Sequence, residues 1–242
     1  MTFDQHAVLV TGGGSGIGRA IALAFAAAGA KVAVVGRRTA PLEQVARELG
    51  VRGIVVRGDV AQPGESKRIL DEVTTALGGL DVLVNNAGVY PLGALAEASD
   101  DDLWAAFATN VIAPMALIRD AIPALRKRGG AVVNIGSTVA RISKANMAAY
   151  SSSKYALEQA TRSLAVELGP LGIRVNCIAP GMTSTDMIAH LSPKVRQQYL
   201  DATPLGRMGD PDDVARVVLA LASDAFAWVT GQVIQCSGGF QL

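Results

Sequence analysis

Two cysteines, two histidines and eleven aromatic residues (two Trp, four Tyr, five Phe) are few for a chain of 242. Cys177 and Cys236 stand alone, each inside an apolar strand-like run and without Cys-x-x-Cys spacing. They read as small buried hydrophobes, which excludes a disulfide framework. His6 and His190 have no cluster of carboxylates or thiols around them, so no metal site is expected. Excess charge is also missing. The 22 Lys and Arg nearly balance 21 Asp and Glu, a net charge of +1, which removes the electrostatic case for nucleic acid or an anionic membrane surface. The longest apolar stretches, such as Ile21–Ala28 and Val214–Ala222, are too short to cross a bilayer. Met1-Thr2-Phe3-Asp4-Gln5 lacks the basic start and apolar core of a signal peptide. The expectation is a soluble, cytoplasmic protein.

Apolar residues make up 50% of the chain, with 26 glycines, a composition that suits a buried sheet covered on both faces. Apolar, β-branched runs recur at Ala7–Val10, Val32–Val35, Ile54–Val56, Val82–Val84, Val132–Ile135, Ile173–Ile178 and Val233–Gln235. Helix-like stretches separate nearly all of them: Arg19–Ala28, Pro41–Leu49, Gly64–Leu77, Asp100–Lys127, Ala148–Leu168 and Pro211–Ala222. This alternation predicts an α/β, Rossmann-type, doubly wound parallel sheet of about seven strands, folded as a single domain over 1–242. Pro114 and Pro123 should bend or interrupt the Asp100–Lys127 helix. The segment at about 182–210 has no clear pattern and reads equally as a binding loop or a capping surface helix.

Two motifs carry chemistry. Thr11-Gly12-Gly13-Gly14-Ser15-Gly16-Ile17-Gly18 joins the first strand to the first helix. Glycines there let the backbone approach a ligand, and the helix N-terminus favours a pyrophosphate. Their spacing differs from the usual dinucleotide fingerprint. Tyr150 and Lys154 stand one helical turn apart, after a strand that leads to Ser137. An ammonium beside a phenol favours its ionised form, and a serine can hydrogen-bond the same reacting oxygen. Each residue alone has an ordinary reading, Ser137 as a strand-end cap, Lys154 as a solvated residue, Tyr150 as a surface aromatic. The second strand ends in Gly36-Arg37-Arg38, with no carboxylate to pair with a ribose 2′-hydroxyl. Two guanidinium groups there favour a 2′-phosphate, hence NADPH over NADH.

Gly12-x-x-x-Gly16-x-Gly18, Asn85-Asn86-Ala87-Gly88, Asn110, Ser137, Tyr150-x-x-x-Lys154 and Pro180-Gly181 occur in the order found in short-chain dehydrogenases/reductases. The resemblance covers essentially the whole chain. A narrower likeness to 3-oxoacyl-[acyl-carrier-protein] reductases rests on Thr185-Asp186-Met187, Pro204-Leu205-Gly206-Arg207 and Pro211-x-Asp213-Val214-Ala215. The resemblance implies a catalytic set of Asn110, Ser137, Tyr150 and Lys154. Tyr150 is implied as acid/base, Lys154 as lowering the phenol pKa and binding ribose, Ser137 as holding the substrate oxygen, and Asn110 as interrupting its helix to hold a relay water. The implied NADP(H) site takes in Gly12, Gly14, Ser15, Gly16, Ile17 and Gly18, with Arg37 on the 2′-phosphate and Arg38 either stacked over adenine or solvated. Asp59 and Val60 would contact adenine, Asn86, Ala87 and Gly88 the adenosine ribose, and Pro180, Gly181 and Thr183 the nicotinamide, alongside Tyr150 and Lys154.

The reaction so implied is reversible reduction of a ketone, with a 3-oxoacyl thioester or a free small apolar ketone as alternatives. A more distant alternative is an NADPH-binding regulator without turnover. Val139, Ile142, Met147, Met182 and Met187 are the candidate pocket residues, mainly hydrophobic and adaptable. An acyl carrier protein would need basic docking residues. Arg126-Lys127-Arg128 is one candidate, while Leu171 stands where carrier reductases have a second charge. The resemblance also implies a homotetramer that pairs the Asp100–Lys127 and Ala148–Leu168 helices and the C-terminal strand.

Overall fold

A computed structural model of the chain describes residues 1–189 and 191–240. Seven strands form one parallel sheet: β1 (Ala7–Thr11), β2 (Lys31–Gly36), β3 (Gly53–Arg57), β4 (Val82–Asn85), β5 (Ala131–Ile135), β6 (Arg174–Pro180) and β7 (Val233–Cys236). Their order is β3-β2-β1-β4-β5-β6-β7, so the direction of winding reverses between β1 and β4. In such sheets ligands bind outside the carboxyl ends of the strands at the reversal.

Strand side chains alternate between two cores. Val8 and Val10 of β1, with Val32 and Val34 of β2, pack on Ile21 and Phe25 of α1 (Gly16–Ala27), Val45 of α2 (Thr39–Leu49) and Val218 of α8 (Pro211–Ala222). Leu9, Ala33 and Val132 face the other way, toward Ile69 of α3 (Glu65–Leu77), Leu117 of α5 (Ala113–Leu125) and Leu168 of α6 (Ala148–Leu168). Helix starts follow capping chemistry. Ser99 and Asp102 form a reciprocal box at α4 (Asp100–Phe107), and Asp210 and Asp213 do the same at α8.

The Asp100–Lys127 stretch is not one helix bent at its prolines. It breaks at Ala108–Ile112 into a π-helical turn centred on Asn110, between α4 and α5. Pro114 lies in the first turn of α5, where a missing N–H leaves nothing unpaired. By length and composition, Asp100–Leu125 is apolar enough to cross a membrane, with a mean hydropathy of 1.3. It therefore exceeds the short apolar runs expected from the sequence. Ala113, Leu117, Ile118, Ala121 and Leu125 are buried in the second core. Trp104, Ile112 and Met115 face outward.

Within 182–210 the structure forms a further helix, α7 (Pro193–Asp201), capped by Ser192. An isolated bridge between Thr183 and Gly209 ties the two ends of this excursion together. His190 lies outside the described residues.

Candidate functional site

The glycine turn sits at the carboxyl end of β1 and is braced from β4. Asn86 donates through Nδ2 to the carbonyls of Thr11 (2.9 Å) and Gly12 (3.2 Å), while Thr11 Oγ1 accepts from the amides of Asn86 and Ala87, both at 3.0 Å. A Cβ at Gly18 would collide with the Gly12 carbonyl and the Asn86 amide, so this glycine is needed for the turn itself to close. Asn86, placed by resemblance on a cofactor ribose, spends its amide group on the turn. Helix α1 then begins with no side chain capping its N-terminus and no acidic residue in its first turn. Its free N–H groups and dipole suit a phosphate.

Arg37 and Arg38 are both exposed beyond β2. Arg38 Nη2 reaches Ser15 Oγ at 3.4 Å, so it is Arg38 that leans toward the glycine turn. Asp59 turns one carboxylate oxygen back to the Ala61 amide at 3.1 Å, and Val60 beside it is buried.

Ser137, Tyr150, Lys154 and Asn110 converge beyond β4 and β5. Tyr150 and Lys154 occupy the first turns of α6 and are only 8% and 4% exposed. Lys154 Nζ donates to the Ile135 carbonyl at 2.7 Å and lies 5.9 Å from the centre of the Tyr150 ring. Asn110 is fully buried. Its Oδ1 accepts from the Val89 amide (3.0 Å), and its Nδ2 donates to the Val89 carbonyl and to Ser153 Oγ, each at 3.0 Å. A Cβ at Gly88 would stand 3.2 Å from Asn110 Oδ1 and 3.5 Å from Lys154 Nζ. Glycine there lets the backbone lie close against both polar groups. Ser153, whose hydroxyl also donates to the Tyr150 carbonyl at 2.8 Å, was not visible in the sequence. Ser151-Ser152-Ser153 reads as polar helix surface.

The electrostatics differ from the simple expectation of a lysine lowering a phenol. Burial pushes the Tyr150 phenol up to about 12; the Ser137 hydroxyl pulls it down, and charge on Tyr90 or Tyr199 would push it further up. Burial also lowers the Lys154 ammonium to about 8. The chain alone thus holds a protonated phenol beside a lysine that titrates near neutrality. Such a phenol is a proton donor rather than a standing base.

Pro180 closes β6, and the Gly181 amide donates to the Cys236 carbonyl at 3.0 Å. Buried Thr183 turns its hydroxyl to the Gly181 carbonyl at 3.1 Å. Val139 is buried, and Met147 and Met182 are half-buried. The side chain of Met187 lies outside the described residues. Ile142 borders an open concavity of about 750 Å³ between the loop 140–145 and Ser151, Ser152 and Tyr155 of α6. Another, of about 630 Å³, lies between α3 and α5. Neither concavity is lined by Tyr150 or Ser137.

The wall nearest Tyr150 is aromatic and polar. Tyr90 meets it edge-on, with ring centres 4.5 Å apart. Tyr199 of α7 stacks on Phe240 at 4.3 Å, and Lys144 Nζ lies 4.3 Å over the Tyr199 ring. These residues are scattered in sequence, and nothing in their local pattern marks them.

Arg126-Lys127-Arg128 does not border this cleft. Arg128 pairs with Asp81 at 3.1 Å, and Asp81 accepts from the Ala7 amide at 2.7 Å, at the amino ends of β1 and β4. Parallel strands separate that edge from the site by the length of β5, roughly 16 Å for five residues. The basic run follows α5 and precedes β5, so chain direction puts it at the opposite edge.

Comparison with known proteins places this geometry. The family profile described as Enoyl-(Acyl carrier protein) reductase matches residues 12–241. The chain is 36% identical over 236 residues to the 3-oxoacyl-[acyl-carrier-protein] reductase FabG of Aquifex aeolicus, covering 96% of this chain and 95% of that protein. It is also 36% identical over 247 residues to the 7alpha-hydroxysteroid dehydrogenase of Escherichia coli K12, covering 99% and 95%. A short chain dehydrogenase of Burkholderia cenocepacia, solved in complex with NADP, superposes with a TM-score of 0.95 at 35% identity over the whole of both chains. By sequence along nearly its full length and by fold, the chain belongs to the short-chain dehydrogenase/reductase family of oxidoreductases.

Proposed function

We propose that this protein is an NADPH-dependent reductase that interconverts a ketone and a secondary alcohol, with Tyr150 as the proton donor. The observation that carries the reading is the buried, protonated Tyr150 phenol with the Ser137 hydroxyl acting on it, one helical turn from Lys154. Ser137 would hold the substrate oxygen and stabilise its developing charge while Tyr150 delivers the proton. Lys154 would bind the nicotinamide ribose hydroxyls, which gives its ammonium a second partner. Asn110, fixed in the π-turn, would anchor a water between Lys154 and solvent.

The residues fit the cofactor. Uncapped α1 would take the pyrophosphate, with Gly14, Ser15, Gly16 and Ile17 lining it. Arg37 and Arg38 would take the 2′-phosphate, and Gly88, with no side chain between the backbone and Lys154, would let a ribose approach that lysine. Pro180, Gly181 and Thr183 would border the nicotinamide, and the segment at about 182–210 would cover it. Bound NADPH would supply the hydride. The complex of the Burkholderia relative with NADP supports this choice.

Equal identity to a 3-oxoacyl-[acyl-carrier-protein] reductase and a 7alpha-hydroxysteroid dehydrogenase leaves the substrate to local residues. Neither candidate docking position for a carrier protein borders this chain's own cleft with charge, which favours a free ketone. Exposed Trp104, Ile112, Met115, Tyr155 and Val166 on α4 to α6 support a homotetramer built on those helices. A cytoplasmic location accords with these assignments.

The test is loss of reduced-nicotinamide absorbance with an acetoacetyl thioester beside simple ketones. Tyr150→Phe should lower turnover at least ~100-fold while NADPH still binds. Undiminished turnover in that variant would overturn the assignment of Tyr150.

A further inference from the structure

Lys144 follows Ser137 in the loop that leads into α6, and it is exposed. Its ammonium lies 4.3 Å from the centre of the Tyr199 ring and 5.7 Å from that of Phe240. The ion pairs among the described residues leave it out. Aromatic faces hold a cation in place without using up its hydrogen-bond donors. Desolvation beside the rings already disfavours the charged form, so a bound anion would gain from an ammonium that is held in position and has no ion pair among the described residues. The platform belongs to the cleft. Tyr90 meets Tyr150 edge-on, and charge on Tyr199 opposes ionisation of both, so the three phenols are neighbours. Tyr90 and Tyr199 add hydroxyls able to donate to the same anion.

We infer that Lys144, seated on Tyr199 and Phe240, is a specificity-determining residue that binds a carboxylate on the substrate, so that the ketone reduced here is an oxo acid. The inference rests on the reductase reading, and it replaces the apolar substrate suggested by the pocket methionines. A carboxylate a few bonds from the carbonyl would reach Lys144 while the carbonyl oxygen meets Ser137 and Tyr150. Tyr199 rides on α7, so the bound carboxylate would also draw that helix toward the Ser137 loop.

The experiment compares 4-oxopentanoate and 5-oxohexanoate with their methyl esters, in the wild type, Lys144→Met and Lys144→Arg. Each charge-assisted hydrogen bond corresponds to roughly tenfold or more. The wild type should therefore favour an acid over its ester at least tenfold in kcat/KM. Lys144→Met should lower the acid at least tenfold more than the ester, and Lys144→Arg should keep most of the preference. Equal wild-type rates for acid and ester would overturn the inference. So would a Lys144→Met variant that loses both substrates alike, since the lysine would then only pin α7. Calorimetric binding of 4-hydroxypentanoate and 5-hydroxyhexanoate to the NADP complex separates this from the reductase reading. Tenfold weaker binding in Lys144→Met without turnover would support the carboxylate site and sink ketone reduction. Unchanged binding would sink the carboxylate site whatever the turnover.

Discussion

Lys154→Met should make the cofactor-free protein more stable while abolishing its activity. The lysine is buried, and its ammonium is lowered from 10.5 to about 8 by that burial. The difference is worth roughly 3 kcal/mol of strain on the folded state below pH 8, where the ammonium is charged in both states. Methionine keeps the apolar stem but leaves the Ile135 carbonyl without its donor at 2.7 Å, a loss of about 1 kcal/mol. A net gain of about 2 kcal/mol raises Tm by roughly 4–8 °C for a chain of this size. The pH dependence gives the sign independently. Between about 8 and 10.5 the unfolded chain holds a proton that the folded one has released, so wild-type stability rises with pH across that window. The variant lacks this rise, and its advantage should vanish near the upper end. Thermal unfolding followed by circular dichroism at pH 7 and pH 9.5 measures both quantities. A variant that melts below the wild type at pH 7, with the same pH dependence, would refute the reasoning.

Other perturbations test the cofactor and assembly readings. Arg37→Ala and Arg38→Ala should each raise the KM for NADPH far more than that for NADH. The arginine that carries the 2′-phosphate gives the larger change, expected as tenfold or more for a charge-assisted pair, and equal effects on both cofactors would remove the arginines from that role. Trp104→Asp places a charge on the exposed apolar face of α4, where Trp104 is 73% exposed. Sedimentation should show smaller assemblies with the fold retained; an unchanged oligomer would place the interface elsewhere.

Periodicity and strand composition carried the layered architecture because a parallel sheet buries both faces. Val32–Val35 is apolar without interruption for that reason, and in Val132–Ile135 only the buried Asn134 breaks the run. The sequence bounds of α6 and α8 match the structure; α8 buries a purely apolar stripe, while α6 buries Leu157, Ala165 and Leu168 beside Ser153, Lys154, Glu158 and Thr161. The pattern over helix α7 leaves a loop and a surface helix equally open, because none of its residues is buried and it lacks a stripe. The π-turn at Asn110 was invisible to periodicity and entered only through resemblance, for the sequence around it keeps a helical pattern. Contacts of Lys144, Tyr199 and Phe240 join segments far apart in the chain, so no local rule could have paired them. Tyr150–Lys154 spacing was legible, but the balance between burial and neighbouring charge was not, because burial is a property of the folded whole.

The brace between Asn86 and the first turn also bears on how the molecule comes to be folded. Asn86 grips the Thr11 and Gly12 carbonyls from 75 and 74 residues away. During synthesis β1, β2 and β3 can pair as soon as they emerge, but the glycine turn keeps its loose ends until β4 docks against β1. Closing so long a loop is slow compared with local helix formation. The glycine turn is therefore among the later features to take shape, and a chain stalled before β4 would present a finished-looking half sheet with an open β1 edge, the kind of surface that recruits another strand and aggregates.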